Sequence, residues 1–143
     1  MHLAERNAGL LEDILFLDAD DYLLPGAMET FRTAIDQAPA AECLIAGYIS
    51  ISQTGARKVS LPGKLAERNV DTFAAYIRKQ FNCKPTGATI FSRSIFEHTL
   101  FPIGINNKED VVLMFQVLCH HKCLTIQTPV LEVLKHPDSQ RHN

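Results

Sequence analysis

Three carboxylates fall within four positions, at Asp18, Asp20 and Asp21, directly after the apolar run Ile14-Leu15-Phe16-Leu17. Two carboxylates about 4 Å apart repel by roughly 4 kcal/mol at an effective dielectric of 20. Something must offset that repulsion: water, a Lys or Arg, or a hard divalent cation. Mg²⁺ and Mn²⁺ suit carboxylate oxygens and are commonly held by one or two acids together with substrate phosphates. A second acidic pair, Glu109-Asp110, follows Asn106-Asn107 and precedes an apolar stretch. Asn is a good N-cap and carboxylates are favourable in a first helical turn, so a helix N-terminus by itself accounts for that pair. Upstream, Arg6 and Asn7 taken alone are a surface pair.

The remaining chemistry-bearing residues point less clearly. Cys43, Cys83, Cys119 and Cys123 lie at no disulfide-framework spacing. Cys119-His120-His121-Lys122-Cys123 suggests a soft-metal site, but it spans a helix end running into a strand, and structural zinc wants four ligands. The four thiols read as reduced and partly buried. His98, His120, His121 and His142 read as surface or structural, and His136 stands just before the polar tail Pro137-Asp138-Ser139-Gln140-Arg141-His142-Asn143.

The elements that must position these groups follow from periodicity. Ile14 to Leu17 reads as a strand buried on both faces, as in a parallel sheet, with the acids at its C-terminal end, where open α/β sheets place ligands. The plainer alternative is a solvated turn in which Asp20 or Asp21 caps the helix that Pro25 opens. Leu3 to Leu11 reads as the end of a helix stopping near Gly9. Pro25 to Gln37 reads as an amphipathic helix, with Ala27, Met28, Phe31, Ala34, Ile35 and Ala38 recurring at three- and four-residue steps and Pro39 ending it. Cys43 to Ser52 is a strand, Gln53-Thr54-Gly55 a turn, and Arg57 to Leu61 a hairpin partner. Asn69 or Asp71 starts a helix through Phe81 that carries Val70, Phe73, Ala74 and Ile77 on its core face. Lys84 to Phe96 is a turn, a short strand and a helix opening at Ser92 or Ser94. Leu124 to Gln127 and Val130 to Leu134 read as one or two closing strands.

The chain's 143 residues suit one domain. A formal net charge of −2 gives no electrostatic footprint for nucleic acid and no polybasic segment for anionic lipid. No apolar run approaches the roughly 18 residues of a spanning helix, and the N-terminus has no signal-peptide pattern, so a cytoplasmic chain, or one peripheral at the inner face of a membrane, is expected.

Phe16-Leu17-Asp18-Ala19-Asp20-Asp21-Tyr22-Leu23-Leu24-Pro25-Gly26-Ala27 resembles the acidic signature of family 2 glycosyltransferases. Arg6-Asn7-Ala8-Gly9-Leu10 ahead of it is similar to that family's "RN.GL" phrase. Phe91-Ser92-Arg93-Ser94-Ile95-Phe96, Phe101-Pro102-Ile103-Gly104 and Glu109-Asp110 match its later segments in order. The resemblance implies a partial GT-A fold: the second half of that domain, a mixed α/β sheet flanked by helices, over residues 1–143. It implies metal-dependent, inverting transfer of a hexosyl or N-acetylhexosaminyl group from a UDP- or GDP-type nucleotide-sugar to a saccharide or lipid-linked acceptor, as in polysaccharide or cell-wall synthesis. On this resemblance Mn²⁺ or Mg²⁺ sits on Asp20 or Asp21 or both, with His136 as a looser candidate. Arg6, Asn7, Asp18 and Asp20 face the nucleotide diphosphate. Asp110 is the general base and Glu109 helps to organise the site. In the family a βαβαβ unit that holds the base and ribose precedes this point. A chain opening at Met1 is therefore expected to be a truncation, or to take the missing half from a partner chain or within a homo-oligomer.

Three other readings compete. An inactive remnant or interaction module would keep the family's core without its nucleotide half. A haloacid-dehalogenase-type phosphatase also has an apolar strand followed by DxD, but Tyr22 stands where Thr or Val is usual, and no convincing downstream Lys and acidic pair follow. An EF-hand loop fails because Leu23 stands where its glycine is required.

Overall fold

Cys43-Leu44-Ile45-Ala46 is apolar at every position, and a strand sends successive side chains to opposite faces, so this stretch demands cover on both sides. The computed structural model describes residues 2–6, 11–98 and 109–135; the side chains of 2–6, 11, 12, 98, 109 and 110 lie outside that description. In chain order its elements are β1 (His2–Arg6), β2 (Leu11–Leu15), β3 (Asp21–Leu23), α1 (Ala27–Gln37), β4 (Cys43–Ile51), β5 (Arg57–Ser60), α2 (Asn69–Ile77), β6 (Thr89–Ser92), α3 (Ile95–His98), α4 (Glu109–His120) and β7 (Cys123–Leu134).

The described strands form one mixed, curled sheet in the order β1-β2-β6-β4-β7-β3, with β5 also paired to β4. Only β4 and β7 run parallel; the other described pairs are antiparallel. Cys43 and Ile45 of β4 join Phe91, Ile95, Leu113, Met114 and Val117 beneath α4. Leu44 and Ala46 turn the other way, to Leu15, Phe31, Ile35, Ile90 and Leu131 beneath α1. The two-faced burial is thus met by helices on both sides of the central strand. Halfway along β4 its neighbour changes from β6 to β5, and the register to β7 slips on either side of Gly47. A Cβ at Gly47 would lie 2.8 Å from the Ser60 carbonyl oxygen, so only glycine fits where the strands cross over.

Connectivity makes the sheet curl. From β2 to β3 the order spans four strand spacings, about 19 Å in a flat sheet. Only residues 16–20 join them, and the Asp21 N–H donates back to the Asp18 carbonyl at 3.1 Å, which folds part of that link into a turn. A link of this length, shortened by a turn, closes only if the sheet edges bend towards one another.

Several expectations are corrected. Residues 2–6 form a strand, not a helix end, because they pair with β2 from His2 opposite Leu15 to Arg6 opposite Leu11. The strand leading into the acids is flanked by antiparallel β1 and β6, so the parallel ladder belongs to β4 and β7 instead. Neither Asp20 nor Asp21 caps α1: the N-cap is Gly26, with φ 82° and no side-chain hydrogen bond. On α2 the buried face is rotated. The Thr72 hydroxyl accepts the Ala66 N–H at 2.9 Å, and Phe73, Ala75 and Tyr76 pack inward. Val70 and Ile77 stay 52% and 49% exposed. The helix also stops at Ile77, since the N–H groups of Gln80 and Phe81 both turn back to the Ala75 carbonyl.

Other expectations hold. The α1 helix, the β4–β5 hairpin, the short β6 strand and the long closing strand stand where periodicity places them. The Cys119–Cys123 stretch does span a helix end and a strand start. There Glu42 accepts the Lys122 N–H at 3.0 Å and meets the His121 ring at 3.1 Å, fastening the α4–β7 corner to the start of β4. All four cysteines are free thiols. Among the described residues no helix is long and apolar enough to cross a membrane.

Phe31 is fully buried between α1 and the sheet, whereas Val70 is half exposed. We expect Phe31→Ala to cost about 3–5 kcal/mol. Val70→Ser, despite its place in the apolar pattern, should stay within about 0.5 kcal/mol of the parent. Urea denaturation followed by circular dichroism reads both.

Candidate functional site

The acidic turn hangs from the end of β2 by two apolar anchors. Phe16 packs against Phe91 and Phe96, with ring centroids 6.0 and 5.9 Å away, and belongs to the cluster beneath α4. Leu17 turns to the opposite cluster, beneath α1. With its root held on both faces, the chain breaks into solvent at Asp18, Ala19 and Asp20, all exposed, and re-enters the protein at Asp21, which opens β3 opposite Val133.

Asp21 is the unusual member. It is 8% exposed, and its Oδ2 atom has no hydrogen-bond partner among the described residues. Among the described residues Lys84 Nζ brings a positive charge to 3.8 Å from that oxygen. Burial pushes the Asp21 carboxyl above its ordinary value, Lys84 pulls it down, and the charges of Asp18 and Asp20 push it up further, the net direction being upward.

Lys84 is held there by its own segment. Its carbonyl accepts the Thr89 hydroxyl at 2.8 Å, Thr86 forms a parallel bridge with Phe16, and the Ala88 carbonyl accepts the Ala46 N–H at 2.9 Å. Gly87, at φ 99°, lies so close to β7 that a Cβ would stand 2.7 Å from a methyl carbon of Leu131. Residues 84–88 therefore meet the link between β2 and β3 at Phe16 and bring a cation to Asp21. Sequence reasoning named a Lys or Arg as one means of offsetting the acids but did not identify this one. Its only local signal is a Lys directly before the turn-forming Pro85-Thr86-Gly87.

The other candidate residues are placed unequally. Arg6 ends β1 opposite Leu11, at the start of β2, so its backbone stands a strand length of about 13 Å from the end that carries the acids. Glu109 and Asp110 form the first turn of α4, and their side chains lie outside the described residues. Farther along the same helix, Leu113 and Met114 share the cluster that holds Phe16. The root of the acidic turn and the first half of α4 thus stand on one apolar floor. Asn7 and His136 lie outside the described residues.

As donors, the turn offers hard oxygens only. Among the described residues no three His, Cys, Asp or Glu side chains converge on a point that a metal ion would occupy. Among the described residues the turn therefore provides no all-protein cage. The exposed Asp18 and Asp20 and the hydrogen-bond-orphaned Asp21 oxygen do fit the other common arrangement, in which one or two carboxylates hold a divalent ion and phosphate oxygens complete its shell. No protein-family model matches the chain, and a search of curated proteins returns no match.

The buried carboxylate has a consequence for stability. Its raised folded-state pKa means that the native protein binds the Asp21 proton more tightly than the unfolded chain does. The charged form is therefore a cost that is fully present above the folded-state pKa and is gone below the ordinary value of 3.8. We expect Asp21→Asn to raise the melting temperature at pH 7, with the gain shrinking as the pH falls towards 3.8. Melting curves of the two proteins across that range read this directly, and a constant or inverted difference contradicts it.

Proposed function

We propose that the chain is part of a metal-dependent, inverting glycosyltransferase of the family 2 type. It would move a sugar from a UDP- or GDP-type nucleotide-sugar to an acceptor hydroxyl on a saccharide or a lipid-linked carrier. The observation that carries this reading is the solvent-exposed Asp18-Ala19-Asp20 turn at the end of a buried strand, backed by a buried carboxylate one oxygen of which has no hydrogen bond among the described residues. That arrangement stands in a mixed sheet flanked by helices, which is compatible with this reading.

In this reading the exposed Asp18 and Asp20, rather than Asp20 and the buried Asp21, would hold Mn²⁺ or Mg²⁺ together with the donor diphosphate, and Asp21 would support them from within the strand. The ion supplies charge neutralisation at the leaving nucleoside diphosphate. Asp110, in the first turn of α4, takes the acceptor proton, and Glu109 beside it orders the approach. Displacement from the face opposite the leaving group inverts the anomeric carbon. Arg6, Asn7 and His136 belong to this reading through the motif resemblance alone. The site lies on the cytoplasmic side in this reading.

Calorimetric titration of Mn²⁺, with and without UDP or GDP, tests the metal and nucleotide together. We expect binding that tightens at least severalfold with one nucleotide and disappears in Asp20→Ala. Manganese binding that ignores both nucleotides, or survives intact in the variant, would remove the transferase reading.

A further inference from the structure

We infer that Lys84 is a phosphate-binding residue of this site, supplying the fixed positive charge that a diphosphate meets beside the acidic turn. The inference rests on the reading of the turn as a metal–diphosphate site.

Its first support is geometric. Lys84 reaches Asp21 Oδ2 only to 3.8 Å, whereas a charge-assisted N–H···O bond closes to about 2.7–2.9 Å. The pair is in electrostatic contact without being hydrogen-bonded, and among the described residues the Asp21 Oδ2 atom has no hydrogen-bond partner, its side chain being 5% exposed. The lysine side chain is 25% exposed, so its ammonium, which carries three N–H donors, can be reached by an anion from solvent. Its backbone is fixed by the Thr89 hydroxyl and by the segment's attachment to β2 and β4. The charge is tethered rather than trailing on a surface loop.

The second support is charge balance. Asp18, Asp20 and Asp21 ionised contribute three negative charges, and a divalent ion offsets two of them. A turn loaded with metal but lacking a lysine would still repel an incoming diphosphate. Lys84 adds a positive charge beside the carboxylates, which lowers the opposition that an incoming anion meets. As a compact point charge, lysine suits phosphate oxygens that need charge more than bidentate geometry.

The test uses the full chain saturated with Mn²⁺ and inorganic pyrophosphate as the titrant, with Lys84→Met, Lys84→Gln and Lys84→Arg alongside the parent. We expect Lys84→Met and Lys84→Gln each to weaken pyrophosphate roughly tenfold, as loss of one charge-assisted bond implies. Their Mn²⁺ affinity should be equal to the parent's or tighter, because a competing cation has gone. Lys84→Arg should recover most of the pyrophosphate affinity. Unchanged pyrophosphate binding in both neutral variants overturns the inference. So does a parallel loss of Mn²⁺ and pyrophosphate binding, which would make Lys84 a purely structural counter-ion. The two readings separate in the same experiment. A parent that binds Mn²⁺ with UDP or GDP, while the neutral variants match it, removes Lys84 alone. Lys84-dependent pyrophosphate binding with no advantage for either nucleoside diphosphate keeps Lys84 and removes the nucleotide-sugar.

Discussion

Crowding three carboxylates into four residues where a buried strand meets solvent creates a repulsion that the surrounding fold must answer. The answer is partition. Two of the acids, Asp18 and Asp20, stay in water, where the high dielectric makes their mutual repulsion small. The third, Asp21, is drawn inside as the first residue of β3 and set within reach of Lys84. Much of the local architecture follows from delivering that lysine: the tight passage of Gly87 over Leu131, the bridge of Thr86 to Phe16, and the Thr89 hydroxyl closing on the Lys84 carbonyl.

The same constraint explains the hydrophobic anchoring of the turn. A strand end carrying repelling charges would fray if it were fixed on one face only. Phe16 and Leu17 point to opposite faces, into the clusters beneath α4 and α1 respectively. Those clusters meet through the both-face burial of β4, so the placement of the acids depends on the central strand. Among the described residues the apolar alternation of Cys43 to Ala46 is the feature on which both halves of the core converge.

What was legible in the sequence was local. The α1 periodicity, the Gln53-Thr54-Gly55 turn between β4 and β5, and the acids after an apolar run are read within a dozen residues, where propensity and pattern agree. What escaped was set by distant partners. Residues 2–6 carry a sequence that suits a helix, yet their backbone groups are satisfied by the ladder to β2, and pairing overrides propensity there. The face of α2 was misjudged because Val70 and Ile77 fit the period, while a polar residue, Thr72, is the one drawn in by a hydrogen bond to Ala66. On the exposed side Phe115 of α4 stacks edge-on against Phe73, at 5.0 Å between ring centroids, and helps to fix that rotation. Lys84 lies far along the chain from the acids it serves, and no spacing rule connects them.

The position of Asp21 also decides what kind of ligand the turn can favour. A carboxylate buried at the root of the turn and already facing a lysine leaves its two neighbours, Asp18 and Asp20, as the acids exposed to solvent. Two carboxylates hold a hard divalent ion weakly unless further oxygens complete its shell, and a diphosphate supplies such oxygens. A metal-only site would gain more from a third convergent acid, and a phosphate-only site would gain more from basic residues in place of Asp18 and Asp20. A turn with two outward acids, one inward acid and a tethered lysine is suboptimal for either ligand alone. On the proposed reading it suits the pair, because each ligand supplies the charge that the other needs.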